Sequence, residues 1–350
     1  MSARTVWILT HSRLGDRQQM EKLAAALGWP SVVKTLVFRP PNVPFLANQL
    51  LDRARSDPLG APWPDVILCA EARTSVIARD LKRRSKGHVK AICLGRPAGD
   101  PAEFDLVLTT AQYRLPKAAN VIELALPLVA DASPTEETGD ARALEGLARP
   151  VTTVLVGGSA APERLDGEAA AALARDLLAH KQKTGGTLLV VTSPRTADAA
   201  GQALARAIAA PHRVHLWRKG EDNPYRRFLA AADEIVVTSD SVSMVADALA
   251  TGKAVSVYRL PRPSTLKDAV AEWLFARVWG ASPCPLWLRP VKWLFDVGLI
   301  EARADRPRLF DRLATEGRLG WFGEVPKETR YVTNAAELEA VVPRITALLA

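Results

Sequence analysis

Two hydrophobic periods take turns along this chain. Short runs of consecutive apolar residues at 5–10, 32–36, 65–69, 89–94 and 104–109 predict buried strands. Between them the apolar positions recur at helical spacing. Met20, Leu23, Ala24 and Leu27 predict a helix over 17–27, and 45–54 and 75–84 predict two more. Strands that alternate with helices build βαβ units and a parallel sheet covered on both faces.

The rhythm stops at 131–149, a stretch rich in Ala, Glu, Thr and Pro that reads as a linker with one short helix around 141–147. It restarts at 151. Strands are predicted at 151–156, 187–192, 213–217, 234–238 and 254–258, with helices at 167–180, 197–209, 224–231 and 242–250. The fold class expected is therefore α/β, with two Rossmann-like domains and a cleft between them. The domains are 1–130 and 150–330, and a last helix over 331–350 carries Leu338, Val341, Val342, Ile345 and Leu348 on one face. Within 260–325 the pattern changes again. Five of the nine Trp lie there, Trp273, Trp279, Trp287, Trp293 and Trp321, interleaved with Arg277, Arg289 and Lys292. That mixture suits either a subdomain packing its Trp inward or a surface lying in a membrane interface.

Composition narrows the classes. In 350 residues, 48% are hydrophobic and 24% charged, a globular profile with a sizeable core. The stretch closest to a membrane span, 284–300, is broken by Pro285, Arg289, Pro290, Lys292 and Asp296, so no membrane span is expected. The first apolar run, 6–9, is shorter than the core of about 7–15 residues in a signal peptide. A cytoplasmic location is expected. Three cysteines, Cys69, Cys93 and Cys284, lack paired spacing, which argues against both a disulfide framework and a zinc site. Cys69 and Cys93 read as small buried strand residues.

The net charge of +8 is unevenly spread: residues 1–129 hold 18 Lys and Arg against 11 Asp and Glu. A local cluster runs through Lys82, Arg83, Arg84, Lys86, His88 and Lys90. It is either a solvated helix end or a patch for an anionic surface. The expectation taken from it is an anionic membrane partner, reached from the inner face of the cytoplasmic membrane, and no nucleic acid.

The chemistry concentrates in 223–257. A strand at 234–238 feeds the turn Ser239-Asp240-Ser241 and then a helix. Hydroxyls at a helix N-terminus, with its free amides and positive dipole end, make an anion site. Ser241 and Ser243 are placed to donate to a pyrophosphate, Asp240 to cap the helix, and Asp247, one turn on, to take two hydrogen bonds from a ribose diol. Ordinary caps and a solvent-facing Asp are the competing account of the same residues.

The run Asn223-Pro224-Tyr225, followed by Ala231 through Val245 (AADEIVVTSDSVSMV), resembles the signature of the mitochondrial-fission-protein-like family. Leu155-Val156-Gly157-Gly158-Ser159 resembles its Gly-Gly turn. Thr192-Ser193-Pro194-Arg195-Thr196 is similar to its Thr-Ser-Arg-Arg-Thr box, with Pro194 in place of the first Arg, and Gly15 and Gln19 match its Gly-loop. That family is similar to glycosyltransferases of the GT-B type. The resemblance implies a nucleotide-sugar site, the sugar carried on uridine diphosphate. Pyrophosphate would lie at Ser241, Val242, Ser243 and Met244, and ribose at Asp247. The base would lie near Trp217 and Arg218, with Arg195 reaching a phosphate. Gly15, Gly157, Gly158, Ser159, Ser193, Asn223 and Ser239 complete the set. No metal and no further cofactor are required, because a helix dipole can hold the leaving diphosphate.

A transferase also needs a general base. His11, Asp16 and Glu71 are the candidates, each at the predicted carboxyl end of a strand, and each is open to a plainer account as a cap or a solvated residue. Glu71-Ala72-Arg73-Thr74 stands where relatives tend to show Gly-Arg-Arg-Thr. The leading expectation is a nucleotide-sugar-dependent glycosyltransferase with a lipid-linked or cell-envelope acceptor. A non-catalytic adaptor that recruits protein partners is the first alternative, and a nucleotide-sugar epimerase the second.

Overall fold

The computed structural model describes residues 4–11, 14–41, 43–70, 72–128, 144, 146–263, 265–280, 285–296, 304–324 and 335–349. The first sheet is built from β1 (Val6–Thr10), β2 (Ser31–Thr35), β3 (Val66–Cys69), β4 (Lys90–Leu94), β5 (Leu106–Thr110) and β6 (Val121–Leu124). Its order is β2-β1-β3-β4-β5-β6, parallel throughout. The connecting helices are α1 (Leu14–Leu27), α2 (Ala47–Leu50) and α3 (Ala72–Arg84).

Strand residues split between the two faces by the period of two that a pleat imposes. Val6, Ile8, Val66, Leu68, Ile92 and Leu94 join Met20, Leu23 and Leu27 of α1 in one cluster. Trp7, Leu9, Ile67, Cys69, Ala91 and Cys93 join Val76, Ile77 and Leu81 of α3 in the other. Cys69 and Cys93 are buried free thiols at paired positions of β3 and β4. Cys284 lies outside the described residues.

The second sheet uses β7 (Val151–Val156), β8 (Thr187–Thr192), β9 (Arg213–His215), β10 (Glu234–Thr238) and β11 (Ala254–Tyr258), with helices α4 (Gly167–Thr184), α5 (Asp198–Ala207), α6 (Tyr225–Ala231) and α7 (Val242–Leu249). Asp166 caps α4 by accepting from the Ala169 amide at 2.9 Å, and Gly185 ends it at φ +70°. The chain continues through α8 (Leu266–Gly280), α9 (Arg289–Asp296), α10 (Arg306–Thr315), β12 (Gly320–Trp321) and α11 (Ala335–Ala347). The sheet order is β12-β11-β10-β7-β8-β9, again parallel.

Five of the differences from the expected elements bear on the fold. First, α1 begins at Leu14, three residues early. Second, the helix expected over 45–54 is only a 3-10 turn and α2, because Leu51 returns to extended backbone and bridges to Phe38. Asp52 then closes a turn by accepting from the amides of Ala54 and Arg55. Third and fourth, the sequence reading missed β6 and β12, a four-residue and a two-residue edge strand, because neither carries a long apolar run.

The fifth concerns the domains. The chain divides into a first unit, Met1–Ala130 with Thr265–Asp305 and Asn334–Ala350, and a second, Asp131–Ser264 with Arg306–Thr333. Four of the five Trp of the segment expected with the second domain, Trp273, Trp279, Trp287 and Trp293, group with the first, and Trp321, on β12, stays with the second. Arg114 of the first unit pairs with Glu272 on α8, and its guanidinium stacks over Phe275 at 4.3 Å. Arg96 stacks over Phe275 and Trp279 at 4.9 and 5.1 Å. The change of pattern over 260–325 does not say which sheet α8 covers. Most of the linker, 131–143 and 145, lies outside the described residues.

Candidate functional site

In the second unit the strands run outward from β7 in both directions, through β8 to β9 and through β10 to β12. The order reverses between β7 and β10, and ligands of open α/β sheets bind beyond the carboxyl ends of strands at such a reversal. The loops that leave those two strands are Gly157-Gly158-Ser159 and Ser239-Asp240-Ser241.

Asp240 joins them. Its carboxylate accepts from the Gly158 amide at 2.8 Å, the Thr238 hydroxyl at 2.7 Å and Arg195 Nη2 at 3.2 Å. Burial pushes this carboxyl above the ordinary aspartate value, against the opposing pull of those hydrogen bonds and of the Arg195 and Arg306 charges. Asp240 therefore does not cap the following helix, as the sequence had suggested. It is a buried tie between loops, with half-exposed Arg195 on its outer side.

Both glycines are required by space. A Cβ on Gly157 would lie 2.1 Å from Asp240 Oδ2, and one on Gly158 would lie 2.2 Å from the Arg195 carbonyl oxygen. The loop after β8 closes against the same turn. Ser193 Oγ donates to Gly157 O at 2.9 Å, Thr196 donates to the same carbonyl, and the Ser193 amide donates to Thr196 Oγ1 at 3.0 Å.

No side chain caps the N-terminal end of α7. Ser241 stands at the N-cap with extended backbone, and its hydroxyl caps none of the helix amides. It faces Ser243 Oγ at 3.4 Å. The first intrahelical bond runs from Val245 N to Ser241 O at 3.2 Å, so the amides of Val242, Ser243 and Met244 precede the ladder.

Other expected contacts have structural partners. Ser239 Oγ accepts from the Leu260 amide at 3.0 Å, and Ser159 Oγ accepts from the Leu165 amide at 2.9 Å. Asn223 Oδ1 accepts from the Tyr225 amide at 3.1 Å, a turn just before α6. The Trp217 amide donates to Thr192 Oγ1 at 2.7 Å, which ties the loop after β9 to the end of β8, and exposed Arg218 pairs with Glu221 at 3.5 Å. Asp247 accepts from Tyr225 Oη at 2.9 Å. Burial raises both groups from their ordinary values. The sequence reading quoted Tyr225 without giving it a role. Its spacing from Asp247 was invisible until α6 and α7 were placed.

In the first unit the order reverses between β1 and β3, and His11 follows β1. His11 Nδ1 lies 2.9 Å from Leu36 O and donates to it, and Nε2 accepts from Arg73 Nη2 at 2.8 Å. The lone pair that a base would use is therefore aimed at a guanidinium. Asp16 lies in the first turn of α1, and Glu71 lies outside the described residues. Gly15 is also in that turn, with nothing within 4 Å of a Cβ, so the packing of this chain does not require a glycine there. Among the described residues no group of three or more His, Cys, Asp or Glu is placed to hold a metal, and no helix is long and apolar enough to cross a membrane.

The chain matches the family described as mitochondrial fission ELM1 over residues 14–277. It belongs to that family. A mitochondrial fission protein ELM1 of Arabidopsis thaliana is 32% identical over 111 residues, which is 32% of this chain and 26% of that relative's length. Two solved structures share the architecture of this ELM1-family chain. The UDP-GlcNAc 2-epimerase of Methanocaldococcus jannaschii superposes with a TM-score of 0.52 at 11% identity, covering 98% of this chain and 99% of that one. MnaA of S. aureus, solved with UDP, gives 0.52 at 11% identity, covering 99% and 97%. The fold is the GT-B type, with two Rossmann-like units of six parallel strands each.

Proposed function

We propose that the second unit binds a nucleoside diphosphate sugar, best a uridine diphosphate sugar, and that the protein transfers the sugar to a lipid-linked or envelope-borne hydroxyl. The observation that carries the nucleotide site is the uncapped start of α7 at the β7–β10 reversal, with Ser241 and Ser243 beside it. Amides and hydroxyls there would take the diphosphate, and the positive end of the helix would stabilise the leaving group as charge develops. Arg195 would lie over the phosphates and Asp247 would accept the ribose diol. The neighbour solved with UDP is consistent with that class of ligand. The acceptor class rests on the resemblance of the family to GT-B type glycosyltransferases.

The test is a melting series with UDP, UDP-sugars and other nucleoside diphosphates, followed by product analysis. UDP at about 100-fold above its Kd is expected to stabilise the fold by about 2.7 kcal/mol. No shift with any nucleoside diphosphate at millimolar concentration would end the proposal. Acceptor-dependent release of UDP marks a transferase, and an isomeric UDP-sugar formed without acceptor marks an epimerase. One observation favours a second reading, a nucleotide-binding adaptor without turnover. Both ring nitrogens of His11 are engaged, by Leu36 and Arg73. Binding of UDP with neither product would select it.

Asp247→Asn separates ligand binding from stability. The variant keeps an oxygen to accept from Tyr225 and loses the carboxylate offered to ribose. Its nucleotide affinity is expected to fall by roughly tenfold or more. The pH dependence has a definite sign. A carboxyl raised in the fold favours the folded state fully below its unfolded value, and that contribution is lost as pH rises through the folded value. The wild type, relative to Asp247→Asn, should therefore lose ground from acid toward neutral pH. Melting curves of both proteins across that range check this. A variant that falls increasingly behind the wild type as pH rises would show that Asp247 is not strained by burial.

A further inference from the structure

The first unit carries an apolar surface that its own packing does not use. Eight large hydrophobic side chains are exposed among the described residues, and six of them lie between Leu266 and Trp293. On α8 they form one stripe. Leu266, Val270 and Trp273, 84%, 49% and 51% exposed, recur at the spacing that keeps side chains on one helix face. The opposite face of the same helix is buried, with Phe275 and Val278 packed against Leu288 and Phe295. The helix is thus apolar on both sides while only one side is covered, a pattern foreign to an ordinary surface helix. Leu286 and Trp287 just before α9, and Trp293 on it, extend the exposed set at 73%, 63% and 58%.

We infer that the α8–α9 face lies in the interfacial layer of an anionic lipid bilayer. Three of the six exposed side chains are Trp, whose ring is apolar and whose N–H seeks a polar partner, the combination favoured at headgroup depth. Basic groups stand beside them. Arg277 stacks over Trp273 at 4.4 Å and Arg289 is exposed at the start of α9, while Lys292, over the Trp279 ring at 4.8 Å, also stands 3.9 Å from Asp100. The one described acidic side chain on α8, Glu272, is paired with Arg114. The face is therefore complementary to anionic headgroups, and a long basic stem beside Trp can reach them from the interface.

The Lys82–Lys90 cluster contributes less than its sequence suggested. Lys82 pairs with Asp105 at 2.8 Å, Arg83 and Arg84 stand 3.7 and 3.8 Å from Asp80, and Arg84 also covers Trp63. Lipid attachment through α8–α9 requires no nucleotide chemistry, so it stands or falls apart from the donor site.

The experiment is co-sedimentation of the full chain with vesicles of phosphatidylcholine alone and of phosphatidylcholine mixed with phosphatidylglycerol, at low and high salt. The mixed vesicles should bind at least about tenfold better at low salt, with a blue shift of Trp emission, and part of that binding should persist at high salt. The triple variant Trp273→Ser, Trp287→Ser, Trp293→Ser should lose about tenfold or more with an unchanged melting temperature, because these rings are exposed. If it does not fold, Arg277→Glu with Arg289→Glu tests the same face, and a loss of the preference for phosphatidylglycerol is the expected result. Binding unchanged in the variant, equal negligible pelleting in all vesicles, or a wild-type dimer that the Trp variant abolishes would each overturn the assignment. The last outcome would show that a second copy of the chain covers the face.

Discussion

Replacing Asp240 by Ala is expected to lower the melting temperature of the second unit by about 6–12 °C. The carboxylate is fully buried and serves three donors, the Gly158 amide, the Thr238 hydroxyl and Arg195. Arg195 is half-exposed and can turn to water. The Gly158 amide cannot, the Thr238 hydroxyl keeps only Leu155 O, at 3.5 Å, as another acceptor, and a buried donor left without a partner costs about 1–3 kcal/mol. A net loss of about 3 kcal/mol follows, at about 2–4 °C per kcal/mol for a unit of this size. Asp240→Asn keeps an acceptor oxygen and should fall between the two. A melting temperature for Asp240→Ala within about 2 °C of the wild type would mean that water replaces the carboxylate and that the tie is not structural.

Gly158→Ala should abolish nucleotide stabilisation and destabilise the fold by about 1–3 kcal/mol. The added carbon would meet the Arg195 carbonyl oxygen at 2.2 Å, a backbone atom that no rotamer change can move. Either the turn after β7 or the loop after β8 must shift, and both help to shape the proposed phosphate pocket. Gly15→Ala is the control. With nothing within 4 Å of the new carbon, it should change stability by less than about 0.5 kcal/mol. The two variants are compared by melting with and without UDP. A Gly158→Ala protein that still gains stability from UDP would remove the turn from the binding site.

Strand positions were legible because buried parallel strands are runs of apolar residues. The bounds of β7, β8, β10 and β11 follow from hydropathy alone. The short edge strands β6 and β12 were not legible, since an edge needs no such run. At the candidate site the sequence pointed to Ser241, Ser243 and the Gly157–Gly158 turn from residue chemistry and resemblance. It misread Asp240, because a cap and a cross-loop tie use the same residue type, and only the β7–β10 adjacency separates them. The Tyr225–Asp247 bond and the His11–Arg73 bond were hidden for the same reason, since each joins elements whose neighbourhood the sequence does not state. The destination of α8 was illegible because a helix apolar on two opposite sides offers no single face to orient it.

The late return of the chain to its first sheet sets an order on biosynthesis. One face of that sheet closes only when Val341 and Ile345 of α11 join Met20, Leu23 and Leu27, and when Glu337 accepts from the Ala125 amide at 2.6 Å. A ribosome makes the six strands of the first sheet early and α11 after the whole of the second sheet. Throughout that interval the nascent first unit displays an unfinished apolar face, the state in which chains aggregate or engage chaperones. A ribosome stalled before α11 should therefore hold a protease-sensitive first unit beside a completed second one.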